Sequence, residues 1–149
     1  MAMRPTGPSV AWVLGLLATA PFIIAAALYC WGPARLAQQA IDILLLYSVA
    51  ISAFMGGSRW GLEAGRAMPR WAVLGPGIAM PLIATATWAL THELSMAWRL
   101  GAFMAVFLLL WLWDTIFSEL PEWYGRLRTT VTLIACVSLA FALEKTLRL

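Results

Sequence analysis

The sequence predicts an all-α integral membrane protein, a bundle of five transmembrane helices forming one domain over residues 1–149. Three observations carry this. Hydrophobic residues make up 62% of the chain and charged residues only 11%, whereas soluble domains carry about a quarter charged residues. The mean hydropathy is +0.83, so there is too little polar surface to coat a soluble globule. Apolar segments also recur at the length a helix needs to cross hydrocarbon, roughly 20 residues.

The spans fall at about residues 10–31, 40–57, 71–90, 96–117 and 129–143. The first contains Ala18-Thr19-Ala20, a small-residue triplet of the kind found at signal-peptide cleavage sites. The segment is long for a signal peptide, and Pro21 directly after the triplet argues against cleavage, so it is kept as a span. The second leads into FMGGSRWG at residues 54–61. The third opens WAVLGPGIAMP, in which Pro76 and Pro81 each remove a backbone donor. A kinked helix is the plain reading, and a broken helix lining a site is the alternative. Thr85, Thr87 and Thr91 are expected to bond back to their own helix, and His92-Glu93 to lie solvated in a short loop. The fourth runs through an apolar stretch to Asp114. The fifth is preceded by SELPEWYGRLR, in which Ser118 is a candidate cap and Pro121 suits a first helical turn.

An odd number of spans puts the termini on opposite sides. Arg4, Arg59, Arg66, Arg70, Arg126 and Arg128 then share one side, and Arg35, Arg99, Lys145 and Arg148 the other. The positive-inside rule places the first group, and the N-terminus, in the cytoplasm. Trp31, Trp88 and Trp98 fall at the outer ends of the spans. Trp60, Trp71, Trp111, Trp113 and Trp123 fall at the inner ends, as aromatic belts require. Trp12 adds little to this pattern.

In this frame FMGGSRWG meets the cytoplasmic interface, and Arg59 can snorkel to the headgroups. Ala53, Gly57, Gly61 and Gly65 recur every four residues and form a small-residue stripe that lets a neighbouring helix approach closely. Glu63 lies four residues after Arg59, so the two are expected to pair on a helix that continues to about Pro69. The functional reading is that Gly56 and Gly57 loosen the helix end, and that Arg59 holds an anionic headgroup or a ligand. The two readings are compatible. For EWYGRLR the plain reading is an interfacial anchor, with Trp123 and Tyr124 at headgroup depth and Arg126 and Arg128 on phosphates. A lipid or substrate clamp is the sharper one.

An ionisable residue at the depth of Asp114 is a functional candidate whose partner must be named. Asp114 is expected to be charged and paired with an inner-face arginine, Arg126 or Arg59 ahead of Arg128. Asp42, at the outer start of the second span, is expected to pair locally with Arg35 or Arg99. Cys30 and Cys136 lie at different depths, which argues against a disulfide. His92 is the single histidine. No nucleophile–histidine–acid set, metal-ligand cluster, phosphate loop or basic nucleic-acid arm is present in the sequence.

Several motifs together resemble a family of small uncharacterised inner-membrane proteins of proteobacteria, a domain of unknown function with a mitochondrial transmembrane relative. The matching residues are Pro21-Phe22; Tyr47 leading into Phe54, Gly56, Gly57, Trp60 and Gly61; Trp71 with Pro76; and Asp114 ahead of Leu120, Pro121, Trp123, Tyr124, Leu127 and Arg128. The family often carries histidine where this chain has Arg59. The resemblance implies a helical membrane fold and brings no established activity.

The expectation for function is a non-enzymatic membrane protein of the bacterial inner membrane, without cofactor or metal. It would bind a lipid, a lipophilic molecule or a membrane partner at its cytoplasmic face. The candidate binding residues are Arg59, Trp60, Asp114, Trp123, Tyr124, Arg126 and Arg128, with Gly57, Gly61 and Gly65 for helix packing. Membrane lipids are the expected partners, with a second copy or another membrane protein as further candidates. The alternative is a small transporter or channel using Asp114 and the Pro-kinked third span. It needs a polar path that only Thr85, Thr87 and a few serines offer. A membrane enzyme ranks third.

Overall fold

The computed structural model describes residues 9–117 and 121–149. Arg4, Ser118 and Leu120 of the sequence reading lie outside the described residues. Five helices are present: α1 (Ser9–Trp31), α2 (Ala34–Ala64), α3 (Trp71–Leu90), α4 (Met96–Ile116) and α5 (Glu122–Leu147). All five are long and apolar enough to cross a membrane, and the chain is a multi-pass membrane protein.

Consecutive helices pack side by side, and α5 returns to α1, so the bundle closes in chain order. The most buried helix, α2, also reaches across to α4 and α5. The connections are short because the sequence stops each helix sharply. At the α1–α2 corner a side chain at Gly32 would collide with the Leu28 carbonyl, and Pro33 then sets the entry to α2. Phe22, Leu44, Phe103, Phe107 and Leu139 are fully buried at the centre. Leu17, Leu46, Leu82, Leu109 and Leu133 point outward, as lipid contact allows.

The family-like residues of α1 and α2 meet one another. Pro21 cannot donate to the turn before it. In that turn the Ala18 carbonyl accepts the Tyr47 hydroxyl. Phe22 sits edge-on to Tyr47 and to Phe107, with centroids at 5.1 and 5.7 Å.

Three helix-level expectations are corrected. First, α2 ends at Ala64 rather than near Pro69, with Gly65 as its cap. Second, Gly57, Gly61 and Gly65 do not receive a neighbouring helix of this chain. A Cβ at Gly57 or Gly61 would meet nothing within 4 Å, and one at Gly65 only its own helix. The close approach is one register over. A Cβ at Gly56 would lie 3.0 Å from the Gly77 carbonyl, and one at Gly77 2.9 Å from Trp60 Cβ. Gly77 thus lets the third helix lie against α2, and α3 continues unbroken through Pro76 and Pro81. Third, Asp42 accepts from Gln38 at 3.0 Å rather than pairing with Arg35 or Arg99. Cys30 and Cys136 are free thiols.

Gly77→Leu should overpack this crossing and lower stability by about 1–3 kcal/mol, read as thermal unfolding in detergent. Gly61→Leu in a monomeric preparation should leave the transition where it is. A loss for Gly61→Leu as large as that for Gly77→Leu would return the close contact to the stripe.

Candidate functional site

The start of α1, the end of α2, the end of α4 and the start of α5 meet at one end of the bundle, here called the arginine end. The last turns of α2 carry Ser58, Arg59 and Glu63 on the buried or half-buried face. Glu63 is 4% exposed. It accepts the Arg70 backbone N–H at 2.9 Å and the Arg70 guanidinium at 2.9 and 3.0 Å. Arg66 adds a contact at 3.4 Å. This corrects the expected Arg59–Glu63 pair: Glu63 instead folds the connection to α3 back onto α2.

Asp114 on α4 pairs with Arg128 on α5. Nε donates to Oδ2 at 2.8 Å, and Nη2 lies 2.7 Å from the same oxygen, off the hydrogen-bond direction. The two side chains are 9% and 7% exposed. Arg128 Nη1 donates to the Met55 carbonyl at 2.8 Å and to Ser58 Oγ at 3.2 Å. That carbonyl also accepts the Ser58 hydroxyl at 3.0 Å. The guanidinium lies 5.5 Å over the Tyr124 ring, and the Tyr124 hydroxyl is 3.0 Å from Ser58 Oγ. One ion pair thereby ties α2, α4 and α5. The expected order of partners is corrected: Arg128 holds Asp114, and Arg126 makes an exposed pair with Glu122 at 2.6 Å.

Arg59 is buried deeper than either, at 2% exposure. Its guanidinium lies 5.8 Å from the Trp113 ring centre, and Nη2 donates to the Phe117 carbonyl. Its Nη1 is buried without a hydrogen-bond partner among the described residues, as are Asp114 Oδ1, Trp113 Nε1, Ser52 Oγ and Thr132 Oγ1. Buried polar groups are nearly always satisfied, so this end holds unused hydrogen-bonding capacity. The buried charges at this end, among the described residues, are Arg59 and Arg128, positive, and Asp114 and Glu63, negative.

Two cavities open beside this cluster. A cradle of about 770 Å³ is lined by Trp12, Trp111, Asp114, Tyr124, Arg126 and Arg128, among others. A crevice of about 300 Å³ lies between α1, α2 and α5. Leu14, Phe54, Met55, Leu127 and Val131 give it apolar walls, and Ser58, Tyr124 and Arg128 give it polar ones. Tyr124 and Arg128 line both.

The fold brings together Arg59, Asp114, Tyr124 and Arg128 from the sequence-predicted set. Trp123 lines the crevice, and Arg126 the rim of the cradle. Trp60 stands apart, since its Cβ packs on Gly77. Sequence reasoning missed Trp12, which lines the cradle, and Ser58, which joins Arg128 to Tyr124. It also placed Trp113 in the aromatic belt, but the ring is 8% exposed and lies beside Arg59. Ser58 sits inside FMGGSRWG and was legible there as a small hydroxyl one residue before Arg59. Among the described residues no group of histidines, cysteines and carboxylates could hold a metal ion.

A family model described as "Protein of unknown function (DUF3429)" matches residues 7–144, and the chain belongs to that family. No curated protein and no solved structure matches it.

Asp114→Asn and Arg128→Gln should each destabilise by about 3–5 kcal/mol, as breaking one side of a buried pair does. Together they should cost less than the sum. Arg126→Gln should stay within about 0–1 kcal/mol and add independently to Asp114→Asn. The readout is a double-mutant cycle on unfolding. Additive losses for Asp114 with Arg128 would show that the pair does not hold this end together.

Proposed function

We propose that the protein is a non-enzymatic binder of an amphipathic lipophile. The site is the arginine end, facing the cytoplasm from a bacterial inner membrane. The observation that carries this is the crevice between α1, α2 and α5, which has mostly apolar walls and shares Tyr124 and Arg128 with the cradle that holds the charged groups. Ligand pockets span roughly 300–1,000 Å³ and pair apolar walls with a few placed polar groups. At about 300 Å³ the crevice suits one chain or ring system of a lipid. The cradle suits a headgroup, with the two tryptophans at the depth such rings prefer.

The side is argued from charge. Arg59, Arg66, Arg70, Arg126 and Arg128 cluster at this end and Arg35, Arg99, Lys145 and Arg148 at the other, which favours a cytoplasmic arginine end. The transporter alternative draws less support. Thr87 and Thr91 turn their hydroxyls back to carbonyls of their own helix, and α3 presents no unwound backbone.

The test is photo-crosslinking with a lipid carrying a diazirine in its acyl chain, on protein in native membranes. Labelling should concentrate on peptides containing Phe54 and Leu127. Ala11→Phe, which fills the crevice, should lower it about tenfold, the effect of roughly 1.4 kcal/mol in affinity. Uniform labelling over all lipid-facing helices, unchanged by Ala11→Phe, would remove the site.

A further inference from the structure

We infer that the polar end of this site selects a monoanionic group, a phosphodiester or a carboxylate, and that the charge of buried Arg59 makes the selection. The inference rests on the lipophile reading and adds to it the chemistry of the headgroup.

Among the described residues the charges that line the cradle balance, Arg126 and Arg128 against Asp114 and Glu122. Arg59, buried behind its wall, adds one positive charge, and the nearby buried Glu63 is taken by Arg70. The surplus is one. Pairing locates it. Arg128 is committed to Asp114 and Arg126 to Glu122. Among the described residues Arg59 has a neutral carbonyl and an aromatic ring and no carboxylate in contact. Arginine cannot shed its proton to escape the low-dielectric interior, and burying an unpaired ion is costly. A counter-charge at the site would offset that penalty.

Arg59 stands behind the cradle wall and does not line it. It is within Coulombic reach of Asp114, Tyr124 and Arg128, which do. Low-dielectric walls focus such a field into a cleft, and a buried charge is screened by salt much less than a surface one. The polar groups at the mouth suit an anion as well. The Tyr124 hydroxyl and the exposed Arg126 guanidinium are donors, and the Arg126–Glu122 pair is 71% and 75% exposed, so it can open at little cost. A zwitterionic headgroup of zero net charge would leave the surplus in place. Its ammonium, set near Asp114, would face Arg59 and Arg128 together.

The experiment is native mass spectrometry of the full chain in detergent. The probes are phosphatidylglycerol, phosphatidylethanolamine and phosphatidylcholine with identical acyl chains, supplied in equal amounts. Phosphatidylglycerol should be retained about five- to tenfold over the other two, a ratio within the usual range for coupled sites. Arg59→Gln should bring the ratio to about one, and Arg59→Lys should keep most of it. A purely structural role would lower all three occupancies together and leave their ratio unchanged. Should Arg59→Gln not fold, the wild-type ratio and the Arg59→Lys variant still decide. Equal retention of the three lipids by wild-type protein, with the crevice still photo-labelled, overturns the charge selection and leaves the lipophile reading standing. No crevice labelling by any lipid overturns both. sn-Glycerol 3-phosphate is added as a soluble competitor. Displacement of phosphatidylglycerol assigns the anion to a free metabolite, and its failure to displace assigns it to the lipid headgroup; both support an anion site.

Discussion

The ion pair between Asp114 and Arg128 is the contact on which the arginine end depends. A bundle in lipid gains little from burying apolar side chains, because the surrounding tails are equally apolar. Helices must be fixed by close packing and by polar contacts. Here one guanidinium serves a carboxylate on α4 and a carbonyl and a hydroxyl on α2, while its own helix supplies the aromatic face of Tyr124. The fork of an arginine can do this and the point charge of a lysine cannot. The Met55 carbonyl it uses lies one residue before Gly56, which packs tightly against Gly77 of α3. The polar clasp and this tight helix crossing therefore occur at the same depth on α2.

The other end is held differently. There the Tyr29 hydroxyl meets Thr146 at 2.8 Å, the Cys30 thiol donates to the Phe141 carbonyl at 3.4 Å, and Trp31 leans on Phe141. These are local contacts between α1 and α5, mostly neutral. Of the buried polar atoms left unpartnered among the described residues, only Arg99 Nε belongs to that end. Unused hydrogen-bonding capacity and buried charge thus gather at the end where the cradle opens. A bundle optimised for stability alone would have satisfied or removed them.

The five helices were legible because membrane thickness imposes a length and a composition that few other folds share. The partner of Asp114 was not read correctly, because depth alone admitted three arginines. Helix phase settles it. Arg126 and Arg128 are two residues apart and so point to nearly opposite sides of α5. Arg128 shares its side with Thr132, Ala135 and Leu139, all buried, and Arg126 shares its side with the exposed Leu133 and Val137. The glycine stripe receives no helix of this chain for the same reason, and a second copy remains the other partner expected for it. A spacing of four defines a face but not which way it looks. On α2 the inward face is that of Ser52, Met55, Gly56, Arg59 and Glu63, and Gly57, Gly61 and Gly65 fall beside it. Arg59 and Glu63, four residues apart, face inward together yet bond to different segments, because Arg70 returns on the connection after α2 and takes the carboxylate.

With Glu63 occupied by Arg70 and Asp114 by Arg128, Arg59 is the buried cation of α2 that has no carboxylate in contact among the described residues. It is held at 2% exposure by a ring and a backbone carbonyl. A chain that needed only a snorkelling anchor would place such a residue on the lipid-facing side, where its head reaches water at little cost. On the proposed reading, turning it inward beside the cradle converts a structural penalty into a standing electrostatic preference. On that proposal the site is charged before anything enters it, and the charge already fixed in place offsets part of an anion's dehydration cost without reorganisation.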